Sequence, residues 1–143
     1  MRRYCTVLLA LLLCGCATGG SIERQREAYS SLEVTLIDMS KKITGYYARQ
    51  GQKVPPAFDA TEFFSVLDKV YPDKAKVEMV RTTFHVEARG LGGDYSVILC
   101  DKRNGKKLLE DFSCTLSRVD IRFWDKDASP PCNFEEDWGP YCR

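Results

Sequence analysis

The chain has 143 residues, with 21 Lys and Arg against 20 Asp and Glu, one His and seven Cys. This length fits one domain, and 29 % charged beside 44 % hydrophobic residues excludes both a disordered tail and a multi-span membrane protein. The net charge of +1 gives no general attraction to nucleic acid, and a single His excludes a metal site built on two imidazoles.

The first sixteen residues have the pattern of an export signal. Arg2 and Arg3 precede an apolar run, residues 6–13, which suits a signal peptide and is too short to span a bilayer as a helix. The segment Leu13-Cys14-Gly15-Cys16 resembles the lipobox of bacterial lipoproteins. The resemblance implies a signal peptide over residues 1–15 and lipidation of Cys16. The alternatives are an ordinary secretory signal and a plain transmembrane anchor.

The lipidated cysteine also predicts a location. Two or three acyl chains such as palmitate hold a protein firmly in a bilayer. Ala17 stands where an Asp would favour the inner membrane of enteric-type bacteria, so the resemblance implies the outer membrane, with the domain facing the periplasm. Residues 16–21 are then the lipidated Cys16 and a flexible tether, and residues 22–143 are a single periplasmic domain.

The spacing of apolar residues predicts two helices at the start of this domain. Residues 22–50 carry an apolar stripe, with Ser21 placed to cap the helix and Gly51 to end it. The stripe suits packing against the protein's own sheet, or a coiled-coil seam. A short helix should follow the capping box at residues 59–62 and stop at Pro72. The stripe consists of Tyr29, Leu32, Leu36, Met39, Ile43 and Tyr46.

From Val77 the apolar period changes to two, which predicts an antiparallel sheet of about four strands. The second strand is apolar on both faces and should be central. Asn104-Gly105 predicts a two-residue hairpin turn. The fold class is therefore α+β, with a long helix and a short helix before the sheet and a disulfide-stapled C-terminal tail. The predicted strands cover residues 77–90, 95–101, 108–112 and 116–124.

Removal of the predicted signal peptide takes away Cys5 and Cys14 and leaves four cysteines besides Cys16. An even number of cysteines in an exported chain predicts disulfides, here two. The four cysteines are Cys100, Cys114, Cys132 and Cys142. Loop size favours pairing Cys132 with Cys142 and Cys100 with Cys114. The predicted turn argues against the second bond, because it places Cys114 roughly 16 Å from Cys100 along the sheet. In the alternative, the tail returns to join Cys100 and Cys114 to Cys132 and Cys142.

The sequence shows no constellation typical of an enzyme. His85 falls on the more polar side of its predicted strand, and no nucleophile elbow accompanies it. The chain has no CxxC pair, and exported cysteines are usually oxidised, so no zinc site and no other cofactor are predicted. Basic residues form no stripe with aromatic ones, which argues against a nucleic-acid partner.

Aromatic residues gather in the last twenty positions, interleaved with acids. They could form a binding surface for a protein partner, or fold back onto the sheet as a small additional core. They are Trp124, Phe134, Trp138 and Tyr141.

The overall plan resembles small envelope lipoproteins, including some pilotins of secretion systems. The resemblance implies a non-enzymatic accessory module, held in the bilayer by acylated Cys16 and bound to an envelope protein. An alternative is a disulfide-stapled module that binds or inhibits a soluble ligand or enzyme. A third hypothesis is an envelope hydrolase, in which only His85 with nearby acids could act.

Overall fold

Helices come first along the chain and strands follow, which confirms the α+β prediction. The computed structural model describes residues 19–111, 121–124 and 129–134. Its strands form one antiparallel sheet in the order β1-β2-β3-β4. The elements are α1 (Gly19–Arg49), α2 (Ala60–Val70), α3 (Lys74–Thr83), β1 (Phe84–Leu91), β2 (Asp94–Asp101), β3 (Lys106–Asp111) and β4 (Ile121–Phe123).

The chain divides into two units, Met1–Ser31 and Leu32–Arg143, and the boundary falls within α1. In the first unit the structure describes residues 19–31, where the Ser30 hydroxyl donates to the carbonyl oxygen of Glu27 at 2.8 Å. The second unit holds the remainder of α1 and all later elements. Within the described ranges, every helix is too short or too polar to cross a membrane.

Helix α1 begins three residues before the predicted start at Ile22, so residues 19–21 are helical. Leu36, Met39 and Ile43 are almost fully buried, as their spacing predicts. After Ile43 the buried stripe continues to Tyr47, four residues further on. Tyr46, three residues further on and predicted to belong to the stripe, is only half-buried.

Three tyrosine hydroxyls link helix α1 to the elements packed on it. Tyr47 donates to Glu62 in α2 at 2.9 Å. Tyr71, at the end of α2, donates to Asp38 in α1 at 2.9 Å. Tyr95 in β2 donates to the Ser40 hydroxyl in α1 at 2.7 Å. Each tyrosine buries an apolar ring and satisfies its polar end, so the three bonds fix how α1 lies against α2 and the sheet.

Helix α3 was not predicted, and the prediction of a strand from Val77 is wrong for residues 77–83. The Asp73 carboxylate accepts a hydrogen bond from the backbone N–H of Lys76 at 3.1 Å and caps the helix. Val77 and Val80 are both buried, and their three-residue spacing places them on the same face of a helix. The apolar period of two suggested a strand, but the Asp73 cap and the burial of Val77 and Val80 favour a helix.

The turn between β2 and β3 differs from the predicted two-residue turn. Asp101 pairs with Lys106, so the loop has four residues, and Gly105 takes a left-handed φ of 65°. The backbone N–H of Gly105 donates to the carbonyl oxygen of Asp101 at 2.9 Å. Cys100 therefore lies opposite Lys107 and not opposite Leu109, where a two-residue turn would place it. A bulge at Leu108 then shifts the register so that Leu99 pairs with Leu109.

A disulfide joins Cys100 to Cys132, with Cα atoms 5.9 Å apart. The pairings of Cys100 with Cys114 and of Cys132 with Cys142, which loop size favoured, are therefore both wrong. The tail returns to the sheet, as in the alternative pairing, because hydrogen bonds to β3 hold it there: the Lys107 N–H donates to Pro130 O at 3.0 Å and the Cys132 N–H donates to Gly105 O at 2.8 Å. Cys114 and Cys142 lie outside the described residues.

The Cys100–Cys132 bond leads to a direct chemical prediction. Proteolysis of the non-reduced protein should release one cross-linked peptide pair that contains these two residues, identified by mass spectrometry. Cys132→Ser should lower the free energy of unfolding by about 3 kcal/mol, because the bond closes a long loop. Cys142→Ser is the control and should retain the Cys100–Cys132 peptide. Recovery of Cys100 linked to Cys114 would contradict the structure.

The tyrosine bonds predict a loss of stability in alkali. Burial, together with the hydrogen bond to Asp38, raises the pKa of Tyr71 from 10.0 to about 12. The folded state thus keeps a proton that the unfolded chain loses above pH 10, so the free energy of unfolding should fall as the pH rises from 10 to 12. Urea titrations across this range should show a shallower fall in Tyr71→Phe. An equally steep fall in the variant would argue against this role.

Candidate functional site

One face of the sheet is directed toward the helices, and the other carries most of the ionisable groups. Tyr95 reaches α1, so Cys100, five residues further along β2, points to the opposite side. The strand register places His85 and Lys107 on either side of Cys100. We call this second side the polar face, and it comprises His85, Glu87, Arg89, Ser96, Ile98, Cys100, Lys107, Glu110 and Arg122.

A buried ion pair lies in β3 on this face. Lys107 Nζ donates to Glu110 Oε1 at 2.8 Å, and the two side chains are 0 % and 2 % exposed. Residues three apart in a regular strand point to opposite faces, and only the bulge at Leu108 turns both side chains to the same side. The Trp124 indole N–H donates to the other carboxylate oxygen at 2.9 Å, so both oxygens of Glu110 are bonded.

Trp124 belongs to this cluster and is half-buried. The Arg122 guanidinium lies over its ring, 4.0 Å from the ring centre, and Lys107 Nζ lies 5.9 Å from it. The aromatic residues near the C-terminus were expected either to bind a partner or to pack on the sheet, and Trp124 packs on the sheet. Phe134 is also half-buried, while Trp138 and Tyr141 lie outside the described residues.

The tail segment 129–134 borders the same cluster. The Ser129 hydroxyl donates to the carbonyl oxygen of Lys107, and the backbones of Lys106 and Pro131 form an isolated antiparallel β-bridge. At Cys132 the tail has crossed the polar face, because the sulfur of Cys132 lies near side chains of β1, two strands from β3. The tail therefore covers β2 at Cys100 and β3 at Lys107.

A second cluster surrounds the disulfide. His85 Nε2 lies 2.7 Å from Glu87 Oε1, and these two atoms and the Cys132 sulfur all lie within 4.8 Å of one another. His85 is also the direct cross-strand neighbour of Cys100. The side chains of His85 and Glu87 are 51 % and 38 % exposed, so the cluster is accessible from solvent.

His85 lies on the polar side of its strand, as its position in the sequence predicts, but residue spacing did not reveal these clusters. His85 and Glu87 are two residues apart in β1, which is a signal that they share a face. The position of Cys132 depends on how the tail returns, and the pairing of Lys107 with Glu110 depends on a bulge. Neither can be read from residue spacing.

No known protein family, curated protein or solved structure gives a significant match to this chain.

The buried pair predicts an asymmetric response to substitution. Lys107→Met or Glu110→Gln alone should each lower the free energy of unfolding by about 3–5 kcal/mol, because each leaves a buried charge without its partner. The double variant should lose less than either single variant, since no unpaired charge remains. Denaturant unfolding of all three variants measures this.

A matched control is the exposed pair of Lys76 with Asp73, which has the same spacing and a separation of 3.6 Å. Lys76→Met should change the free energy of unfolding by less than about 1 kcal/mol. Additive losses in the Lys107/Glu110 double variant would show that the two charges do not stabilise each other.

Proposed function

We propose that this protein is a non-enzymatic lipoprotein of the bacterial envelope, anchored in the outer membrane through acylated Cys16. It acts as an accessory module that binds a protein partner in an envelope assembly, in a pilotin-like or scaffold role. The observation that carries the proposal is the coincidence of Arg2 and Arg3, the apolar run of residues 6–13 and the Leu13-Cys14-Gly15-Cys16 segment.

The Cys100–Cys132 bond supports the export that this proposal requires. Disulfides form and persist in oxidising compartments such as the bacterial periplasm, and they are rare in the cytosol. Here the bond joins the central strand β2 to the tail. An architecture stapled in this way suits a protein that folds after export.

The position of the anchor supports action close to the membrane. Only Ala17 and Thr18 separate Cys16 from Gly19, where α1 begins. Three residue steps reach at most roughly 11 Å. Acyl chains on Cys16 would therefore keep the start of α1 near the lipid headgroups, where a partner in the same membrane is within reach.

The end of the sheet offers contacts for such a partner. Arg122 is exposed on the polar face and stacks on Trp124. Phe123, the next residue of β4, points to the opposite face and is 36 % exposed. Arginine and large aromatic side chains are the residues that most often dominate protein interfaces. Because Trp124 is bonded to buried Glu110, the position of Arg122 is set by the core of the protein.

A second candidate function is a module that binds or inhibits a soluble ligand or enzyme. The tail segment around Cys132 favours it, since a cross-linked loop loses little conformational entropy on binding. The two candidates differ in where the partner resides: in the membrane with the protein, or in solution.

Affinity purification separates these candidates. The full-length protein, tagged at its C-terminus, is recovered from gently solubilised envelopes and its partners are identified by mass spectrometry. We expect one membrane-associated protein at a near-stoichiometric level. Cys16→Ser should abolish acylation and reduce recovery of that partner at least about tenfold, because the anchor no longer brings the two proteins together.

Surface variants then locate the contact. Arg122→Glu should weaken capture of the partner, whereas Lys42→Glu, an exposed change of the same charge on α1, should not. An eluate without partners, from protein that is still acylated and membrane-bound, would contradict the accessory role and favour a soluble ligand. Absence of acyl chains on Cys16 would contradict the anchor itself.

A further inference from the structure

We propose that reduction of the Cys100–Cys132 disulfide converts the cluster around it into a zinc site with four protein ligands. The ligands are the imidazole of His85, the carboxylate of Glu87 and the two cysteine thiolates. This inference goes beyond the proposed function and does not depend on the anchor or on a partner.

The donors come together from three segments of the chain. His85 and Glu87 share the polar face of β1, and Cys100 lies directly opposite His85 in β2. Opposed residues of this kind have Cβ atoms about 5 Å apart. Cys132 arrives from the tail, and the disulfide places its sulfur beside that of Cys100. The donor atoms of His85, Glu87 and Cys132 thus already lie within 4.8 Å of one another, and the disulfide joins Cys100 to this group through the Cys132 sulfur.

The distances are close to those of a zinc centre. Zinc bonds of about 2.0–2.3 Å in a tetrahedral arrangement place neighbouring donor atoms about 3.5 Å apart. His85 Nε2 and Glu87 Oε1 are 2.7 Å apart, and the Cys132 sulfur lies within 4.8 Å of both. Shifts of about an ångström would bring these three donors into position. The half-exposed side chains of His85 and Glu87 leave an ion a path from solvent.

The chemistry of the donor set favours zinc over other common ions. Thiolate ligands in a tetrahedral site with one imidazole suit Zn²⁺, whereas Ca²⁺ and Mg²⁺ require oxygen ligands. A disulfide sulfur is not a thiolate, and thiolates are the form in which cysteine ligates zinc. The oxidised protein therefore lacks two of the four ligands, and the site exists only after reduction.

The opening step is thiol–disulfide exchange with a thiol reductant. A first thiolate attacks the sulfur of Cys132, the more exposed of the two cysteines, forms a mixed disulfide and releases Cys100 as a thiolate. A second reductant thiolate attacks the reductant sulfur of that mixed disulfide and releases Cys132 as a thiolate. The reductant leaves as its own disulfide, and its two electrons remain on the cysteine sulfurs, which Zn²⁺ then binds.

The consequence is that one cross-link replaces another. In the oxidised protein a covalent bond holds the tail to β2, and in the reduced protein a zinc ion bound to Cys132 and to both strands would hold it in the same place. Binding of a metal to the folded state alone stabilises that state. The fold would therefore retain its tail in both redox conditions.

Cobalt is a spectroscopic probe for such a site. The full-length acylated protein in detergent is reduced with a phosphine, which does not compete as a thiol, and titrated with Co²⁺ without oxygen. We expect one cobalt ion per chain, with a near-ultraviolet absorption band from thiolate-to-cobalt charge transfer, and its loss when Zn²⁺ is added. The oxidised protein should not give this band.

Variants separate this site from adventitious binding to free thiols. His85→Ala and Glu87→Gln should each weaken Zn²⁺ binding at least about tenfold, as loss of a ligand or of its support does at other metal sites. Both side chains are substantially exposed, so the variants should fold, which circular dichroism checks. Cys132→Ser should abolish the charge-transfer band. Cys142→Ser and Glu78→Gln are the matched controls and should retain the wild-type affinity.

Three outcomes would overturn the proposal. One is cobalt binding that His85→Ala and Glu87→Gln leave unchanged. Another is a band that Cys142→Ser removes and Cys132→Ser does not. The third is an absence of zinc binding by the reduced, folded protein. None of them would bear on the lipid anchor or on capture of a membrane partner, so failure here is distinguishable from failure of the proposed function.

Discussion

The Cys100–Cys132 bond is the constraint on which the polar face of the sheet depends. The central strand β2 is buried on both faces, but the described helices cover only one of them. Cover on the other comes from a tail with two successive prolines and no regular periodicity. Ordering such a segment is costly in conformational entropy, and a covalent cross-link lowers that cost by restricting the unfolded chain. The hydrogen bonds from the tail to β3 then form locally.

The cross-link also holds the tail over the buried charge pair of β3. Lys107 and Glu110 share a face because of a bulge, and they are almost completely removed from water. A buried charge is costly unless its hydrogen bonds are made, and here Trp124 completes those of Glu110. The same arrangement holds Arg122 at the surface over the Trp124 ring. The buried charge pair, the position of the tail and the proposed contact surface at Arg122 are therefore connected by direct contacts.

Local signals predicted the helices α1 and α2, the central strand and the order of helices before strands. These depend on apolar spacing and on caps such as Asp59, whose carboxylate accepts from Glu62 N–H. The prediction missed α3 because the alternation of apolar residues in β1 extends back along the chain to Val80, which lies in the helix. The clusters on the polar face depend instead on a four-residue loop, a bulge and a long-range disulfide. The loop and the bulge shift the strand register and the disulfide joins distant segments, and residue spacing alone encodes none of these.

Hydrogen–deuterium exchange of the oxidised and reduced protein, in the presence of a metal chelator, tests the central role of the disulfide most directly. We expect reduction to remove protection from the N–H groups of Lys107 and Cys132, which bond to the tail and the loop beside it. The N–H groups of the β1–β2 ladder should stay protected, because the helices still cover that side. Unchanged exchange at Lys107 and Cys132, or equal loss across all strands, would contradict the account.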